Sequence, residues 1–115
     1  MEFVPVTYVK LNDPIWSEQF ALVRDVVLPH MWEILNDRVK NAEKSHCIEN
    51  FKVAAGMSDD DRYGTVFIDT DLYKWIEAVS YCLSVEANCE LESLCDQAIE
   101  MIERAQQLDG YLNTY

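Results

Sequence analysis

Four runs of apolar residues recur at helical spacing, and each is bracketed by residues that start or stop helices. This pattern leaves little room for any fold class other than all-α. Asp13 followed by Pro14 opens the first run, the aspartate as N-cap and the proline at the first helical position. Trp16, Phe20, Val23, Val27, Met31 and Leu35 then line one face, which is expected to be buried. Pro29 falls inside that run and predicts a kink or a split near Val27-Leu28. Ser45 is placed to cap a second helix through Ala55, closed by Gly56 as the residue beyond the C-cap. Asp69-Thr70-Asp71 opens a third helix carrying Leu72, Ile76, Val79 and Leu83. The last helix spans about Glu90 to Gln107, with Leu91, Leu94, Ala98, Met101 or Ile102, and Ala105 inward. Antiparallel helical hairpins are the natural packing for such elements.

Ahead of them, Phe3 to Leu11 alternates weakly and suits a short edge strand or an extended arm, because Pro5 excludes a central strand. The reading is therefore a single unit, residues 1–115, with an extended arm over 1–12 and helices over 13–115. With 115 residues there is room for one modest core.

Charge narrows the partners. Twenty-one acidic residues against nine basic ones give −12, which argues against nucleic acid or an anionic membrane. No apolar run reaches the roughly 18 residues of a membrane span. The first ten residues lack the basic and apolar regions of a signal peptide. Cys47, Cys82, Cys89 and Cys95 are too sparse for a disulfide scaffold, so a reducing, cytoplasmic compartment is expected.

Several constellations invite chemistry. The loop Asp59-Asp60-Asp61-Arg62-Tyr63-Gly64 resembles a calcium loop, but Tyr63 takes a ligand position and Thr70 stands where a bidentate glutamate must be. It reads as a solvated turn. Asp69 and Asp71 could form a carboxylate pair. At a helix start, however, free amides and the dipole stabilise both as anions, the wrong state for a general acid. They read as capping residues or as acceptors for a ligand hydroxyl, with Lys74 a turn away to pair with either. The cysteine spacing matches no zinc finger or ribbon, and the thiols are expected to be buried. His46 and Cys47 would point about 100° apart on a helix, too far for a Cys–His nucleophile. His30 reads as a satisfied helix histidine.

Aromatic residues are the stronger signal. Tyr63, Phe67, Tyr73, Trp75, Tyr111 and Tyr115 gather around the loops before the third helix and after the fourth, with Asp, Asn and Gln nearby to hold hydroxyls. Sugar clefts use such flat faces; Phe67 and Trp75 are equally suited to the core. The final stretch, Ala105-Gln-Gln-Leu-Asp-Gly-Tyr-Leu-Asn-Thr-Tyr115, reads as the rim of a site in the front part of something longer.

Four motifs then occur in order: Asp13-Pro-Ile-Trp16, Asn50-Phe-Lys-Val-Ala-Ala-Gly56, Phe67-Ile-Asp-Thr-Asp-Leu-Tyr-Lys-Trp-Ile-Glu-Ala78 and Ala105-Gln-Gln-Leu-Asp-Gly-Tyr-Leu-Asn-Thr114. Together they resemble the N-terminal part of glycoside hydrolase family 127, the β-L-arabinofuranosidases. The resemblance implies the first part of an (α/α)6 barrel, followed in the family by β-rich domains. It also implies retaining hydrolysis of terminal β-L-arabinofuranosyl linkages by a zinc-bound cysteine thiolate with a glutamate as acid/base. That centre lies in a later region of the family, so none of the four cysteines here inherits the catalytic role and no metal is assigned to this chain. Asp69, Asp71, Lys74, Asp109, Tyr111 and Asn113 are the candidate substrate-binding residues, facing an arabinose-containing carbohydrate. A part of a barrel lacks cover for its apolar faces, so self-association is expected. The alternative is a stand-alone helical module that binds carbohydrate or protein, or that oligomerises.

Overall fold

The computed structural model describes residues 3–10 and 12–115. Among them there are helices and turns and no strand. The elements are α1 (Pro14–Leu22), a π turn (Val23–Val27), α2 (Leu28–Leu35), α3 (Cys47–Ala54), α4 (Asp69–Val85) and α5 (Cys89–Ala105). The edge-strand alternative for the N-terminal segment is overturned. Residues 3–10 are exposed, with a 3₁₀ turn at Val6–Tyr8 lying against α4. Leu11 and the first two residues of the arm lie outside the described residues.

Asp13 caps α1, its carboxylate accepting from the Trp16 amide at 3.1 Å, with Pro14 inside the start. The run splits near Pro29 as expected, through a widened turn at Val23–Val27. The Leu28 amide reaches back five residues to the Val23 carbonyl, and α2 restarts with Pro29 in its first turn, where an absent N–H costs little. This widening overturns the expected buried face. The extra residue rotates everything downstream, so the inward stripe becomes Leu28, Trp32 and Leu35. Val27 and Met31, one position earlier, are turned outward. Of the expected face only Leu35 is buried and Phe20 partly so; Trp16, Val23, Val27 and Met31 are exposed.

Arg24 fastens the π turn to the end of α4. Its guanidinium grips Asp25 with paired bonds of 2.6 and 2.7 Å and also reaches Glu86. Those hydrogen bonds hold Arg24 above its ordinary pKa and Asp25 below the usual carboxylate range.

Helix α3 starts one residue later than Ser45 capping would give. His46 sits at the cap position with φ +55°, while the Ser45 hydroxyl accepts from the Cys47 amide at 3.0 Å. Upstream, the Asp37 carboxylate accepts from the amides of Ser45 (2.6 Å) and His46 (3.1 Å), which tightens the connection. The end of α3 is a Schellman motif. The Gly56 amide, at φ +67°, bonds to the Val53 carbonyl, and the Met57 amide bonds to the Lys52 carbonyl.

Helix α4 is the central element, packed against α2, α3 and α5. Three residues join it to α5, short enough to make a helical hairpin, and Asn88 caps α5 through the Glu90 and Leu91 amides. Phe51, Leu72, Val79 and Leu91 lie at the middle of the core. Trp32 and Trp75 pack with ring centres 4.7 Å apart, and the Trp75 indole N–H donates to the Leu28 carbonyl at 2.9 Å. Of the two aromatics suited to either place, Trp75 is core and Phe67 is on the surface.

The bundle is open. Its radius of gyration is 16.3 Å, against about 13 Å for a compact domain of this length. Its accessible surface is 8371 Å², against about 6,500 Å² expected from its mass. No helix among the described residues is long and apolar enough to cross a membrane.

A candidate rim at the start of helix α4

The C-terminal segment returns to the start of α4 and is fastened there. Asp69, 2% exposed, is the first residue of α4. It does not cap its own helix, whose first turn is closed instead by the Thr70 and Asp71 amides bonding to the Phe67 and Ile68 carbonyls. Both Asp69 oxygens turn to Thr114, accepting its amide at 2.8 Å and its hydroxyl at 2.6 Å. Next to this, the Arg62 guanidinium lies 4.7 Å from the centre of the Tyr115 ring. A third fastener holds the loop itself: the buried Asn50 side chain donates to the Tyr63 carbonyl (2.8 Å) and accepts from the Tyr63 amide (2.9 Å). Tyr63 then stacks on His46, centres 5.2 Å apart.

These bonds bring the loop 62–68 and the tail 111–115 together as one rim that presents Tyr63, Phe67, Tyr111 and Tyr115. Tyr73 is withdrawn from it, half-buried edge-on to Phe51.

The six candidate residues sort into three places. Tyr111 and Asn113 lie on the tail that Asp69 fastens, Tyr111 exposed and the Asn113 side chain accepting from the Tyr115 amide at 2.8 Å. Asp71 and Lys74, paired at 3.3 Å, open onto a groove of about 270 Å³ between α2 and α4, floored by Leu28, Leu35 and Trp75. Asp109 lines a separate shallow concavity with Ala54 and Arg104, and its carboxylate accepts from the Tyr111 amide at 2.9 Å. That bond and Gly110 at φ +90° turn the chain out of α5 toward the rim. The reading of the residues alone missed Asn50, Arg62 and Thr114. The available signal was Asn50, a polar residue on the face of α3 that also carries Cys47 and Phe51.

In the acidic loop, Arg62 donates to the carbonyls of Gly64 (2.6 Å) and Thr65 (2.5 Å). A guanidinium at the oxygens a cation would need is electrostatically incompatible with a calcium loop.

Residues 8–115 match the model of the GH127 catalytic domain, described as β-L-arabinofuranosidase. The chain belongs to glycoside hydrolase family 127. A non-reducing end β-L-arabinofuranosidase from Bifidobacterium longum subsp. longum is 38% identical over 118 residues, 92% of this chain and 18% of that protein. The crystal structure of a GH127 β-L-arabinofuranosidase from Geobacillus stearothermophilus T6 superposes with a TM-score of 0.90 at 54% identity, covering 93% of this chain and 17% of the other. A second GH127 β-arabinofuranosidase structure gives a TM-score of 0.80 at 34% identity, covering 96% of this chain and 17% of the other. The chain thus spans less than a fifth of the length of these relatives.

The residues here do not fit the zinc–thiolate centre that the resemblance implies for the family. Among the described residues no three His, Cys, Asp or Glu side chains converge where they could hold a metal ion. Cys47, fully buried, donates its S–H to the Ile68 carbonyl at 3.5 Å. Burial, reinforced by the charges of Asp69, Asp71 and Asp37, pushes that thiol up to about 12, the opposite direction from an activated nucleophile. Burial also raises Cys82 and Cys95. The expectation of buried thiols fails at Cys89, which is exposed as the first residue of α5.

Proposed function

We propose that this chain is the leading helical part, residues 1–115, of an (α/α)6-barrel glycosidase of carbohydrate metabolism that hydrolyses terminal β-L-arabinofuranosyl linkages. In this reading it forms one wall of the sugar cleft and is not catalytic alone. The 54% identity to a GH127 β-L-arabinofuranosidase with a TM-score of 0.90 carries the reading. The rim supports its position in the cleft: Tyr63, Phe67 and Tyr115 offer flat faces and Tyr111 and Asn113 offer polar contacts for an arabinose-containing carbohydrate, with Asp71 and Lys74 in the α2–α4 groove and Asp109 in its separate concavity as further polar contacts. Asp69, with both oxygens on Thr114, contributes by holding the tail. Zinc belongs to the complete family enzyme in this reading, and this chain has no share in holding it. Four unpaired cysteines support a cytoplasmic location. The acidity supports neither nucleic acid nor membrane as partner, and the uncovered apolar surface supports self-association.

The test is hydrolysis of a nitrophenyl β-L-arabinofuranoside by the purified chain supplied with zinc. No turnover is expected, and robust turnover would overturn the assignment of catalysis to residues elsewhere. The second reading, a stand-alone carbohydrate- or protein-binding or oligomerisation module, is favoured by the rim being already assembled within this chain. Saturable binding of arabinose-containing oligosaccharides by a monomer, followed through the amide resonances of residues 111–115, would select it.

A further inference from the structure

Of the aspartates in the chain only Asp109 is followed by glycine, and no asparagine is. At such a step the side-chain carboxyl and the next backbone nitrogen can react, because glycine has no Cβ to keep them apart. The place a Cβ would take at Gly110 has no atom within 4 Å. Asp109 Oδ1 accepts from the Tyr111 amide at 2.9 Å. The ring closed by that bond includes the Gly110 nitrogen, so the carboxyl group is folded back over the peptide it would attack. Both reacting groups are nevertheless occupied. The Gly110 N–H donates to the Gln107 carbonyl at 2.9 Å, and the Tyr111 amide favours the Asp109 carboxylate, the ionised form that does not react. The Gln107 amide on the Tyr111 carbonyl (2.9 Å) and the Gln106 side chain on the Gly110 carbonyl (3.1 Å) close the same turn.

We propose that Asp109–Gly110 is a site of isoaspartate formation that this turn holds in check, and that its conversion releases the rim. The Gly110 nitrogen attacks Cγ of the protonated Asp109 carboxyl. A C–N bond forms and a C–O bond breaks, closing a five-membered succinimide, and the amide proton and the hydroxyl leave as one water. Water then adds to either ring carbonyl. Opening at Cγ restores aspartate, whereas opening at the Asp109 main-chain carbonyl leaves the chain running through Cγ as isoaspartate. Only water is exchanged, and no other reagent is consumed. Isoaspartate lengthens the backbone by one methylene and takes away the acceptor of the Tyr111 amide. The residues beyond it shift, so Thr114 loses its register on the two Asp69 oxygens. Nothing in the step depends on the glycosidase reading.

The test is incubation of the full chain in mildly acidic buffer, once folded and once in guanidinium chloride. Digestion, mass spectrometry and enzymatic methylation of isoaspartate then locate the product. Asp109 should be the first position converted in both samples. Conversion should be about tenfold slower in the folded chain, because two hydrogen bonds must open before the attack. Asp109→Glu keeps the carboxylate but would need a six-membered ring, and it should give no product at this position. In native chain that has converted, the Thr114 amide should lose exchange protection while residues 91–98 of α5 keep theirs. No isoaspartate at Asp109 in denaturant overturns the site. Equal rates in the folded and denatured chain overturn the restraint by the turn. A converted chain whose Thr114 amide stays protected overturns the link to the rim.

Discussion

Replacing Thr114 with valine removes one hydroxyl and nothing else of comparable size, and it removes it from a buried carboxylate. Asp69 is 2% exposed and receives only two donors from the tail, the Thr114 amide and the Thr114 hydroxyl. A hydrogen bond to a charged group contributes about 1.5–3 kcal/mol, and a buried oxygen left bare keeps its full desolvation cost. The expected loss is therefore about 2 kcal/mol. With an unfolding entropy of about 2.1 cal/mol/K per residue, a chain of this length should melt roughly 8 °C lower. Thr114→Ser, which keeps the hydroxyl, should stay within about 2 °C of the wild type. Thermal unfolding followed by circular dichroism gives the global value. Hydrogen exchange at residues 113–115 and at the first turn of α4 gives the local one, and both segments should lose protection together. Equal melting of the valine and serine variants, with unchanged exchange at the tail, would refute the claim that Asp69 fastens the rim.

Asn50→Leu keeps the branched skeleton but strips both bonds from the Tyr63 backbone, so stability should fall by about 2 kcal/mol and limited proteolysis should cut residues 57–66 first. Gly64→Ala meets a double obstacle, φ +88° and a new Cβ only 2.2 Å from Ile68 Cδ1. It should cost about 2–3 kcal/mol in urea unfolding, whereas Gly110→Ala, with open space around it, should cost only about 1 kcal/mol. A thiol reagent at neutral pH should modify Cys89 in the native chain and reach the other three cysteines only after denaturation. The Cys47 thiol, at 9.0 when free and about 12 when folded, binds its proton more tightly in the native state. Its contribution to stability is complete below pH 9 and is lost as pH rises from 9 toward 12, so Cys47→Ala should flatten that alkaline decline.

Helix identity was legible from the chain alone because it depends on neighbours in sequence. Asp13 and Pro14 start α1 locally, Gly56 ends α3 by the backbone it permits, and Leu72, Val79, Leu91 and Ala98 repeat at the helical period. Four motifs in order were enough to name the family. Tertiary structure alone decided what each surface met. One extra residue in the turn before Pro29 moved the buried stripe from Val27 and Met31 to Leu28 and Trp32, a rotation that composition does not encode. Asp69 and Thr114 lie 45 residues apart, and no local rule distinguishes an aspartate that caps its own helix from one that holds a distant tail. Asn50, buried on an apolar face, hinted at a partner, but only folding shows that the partner is the backbone of Tyr63. Short-range hydrogen bonding and periodicity are written in adjacent residues. Pairing between distant ones depends on where the packed helices bring the loops, and that is a property of the assembled bundle.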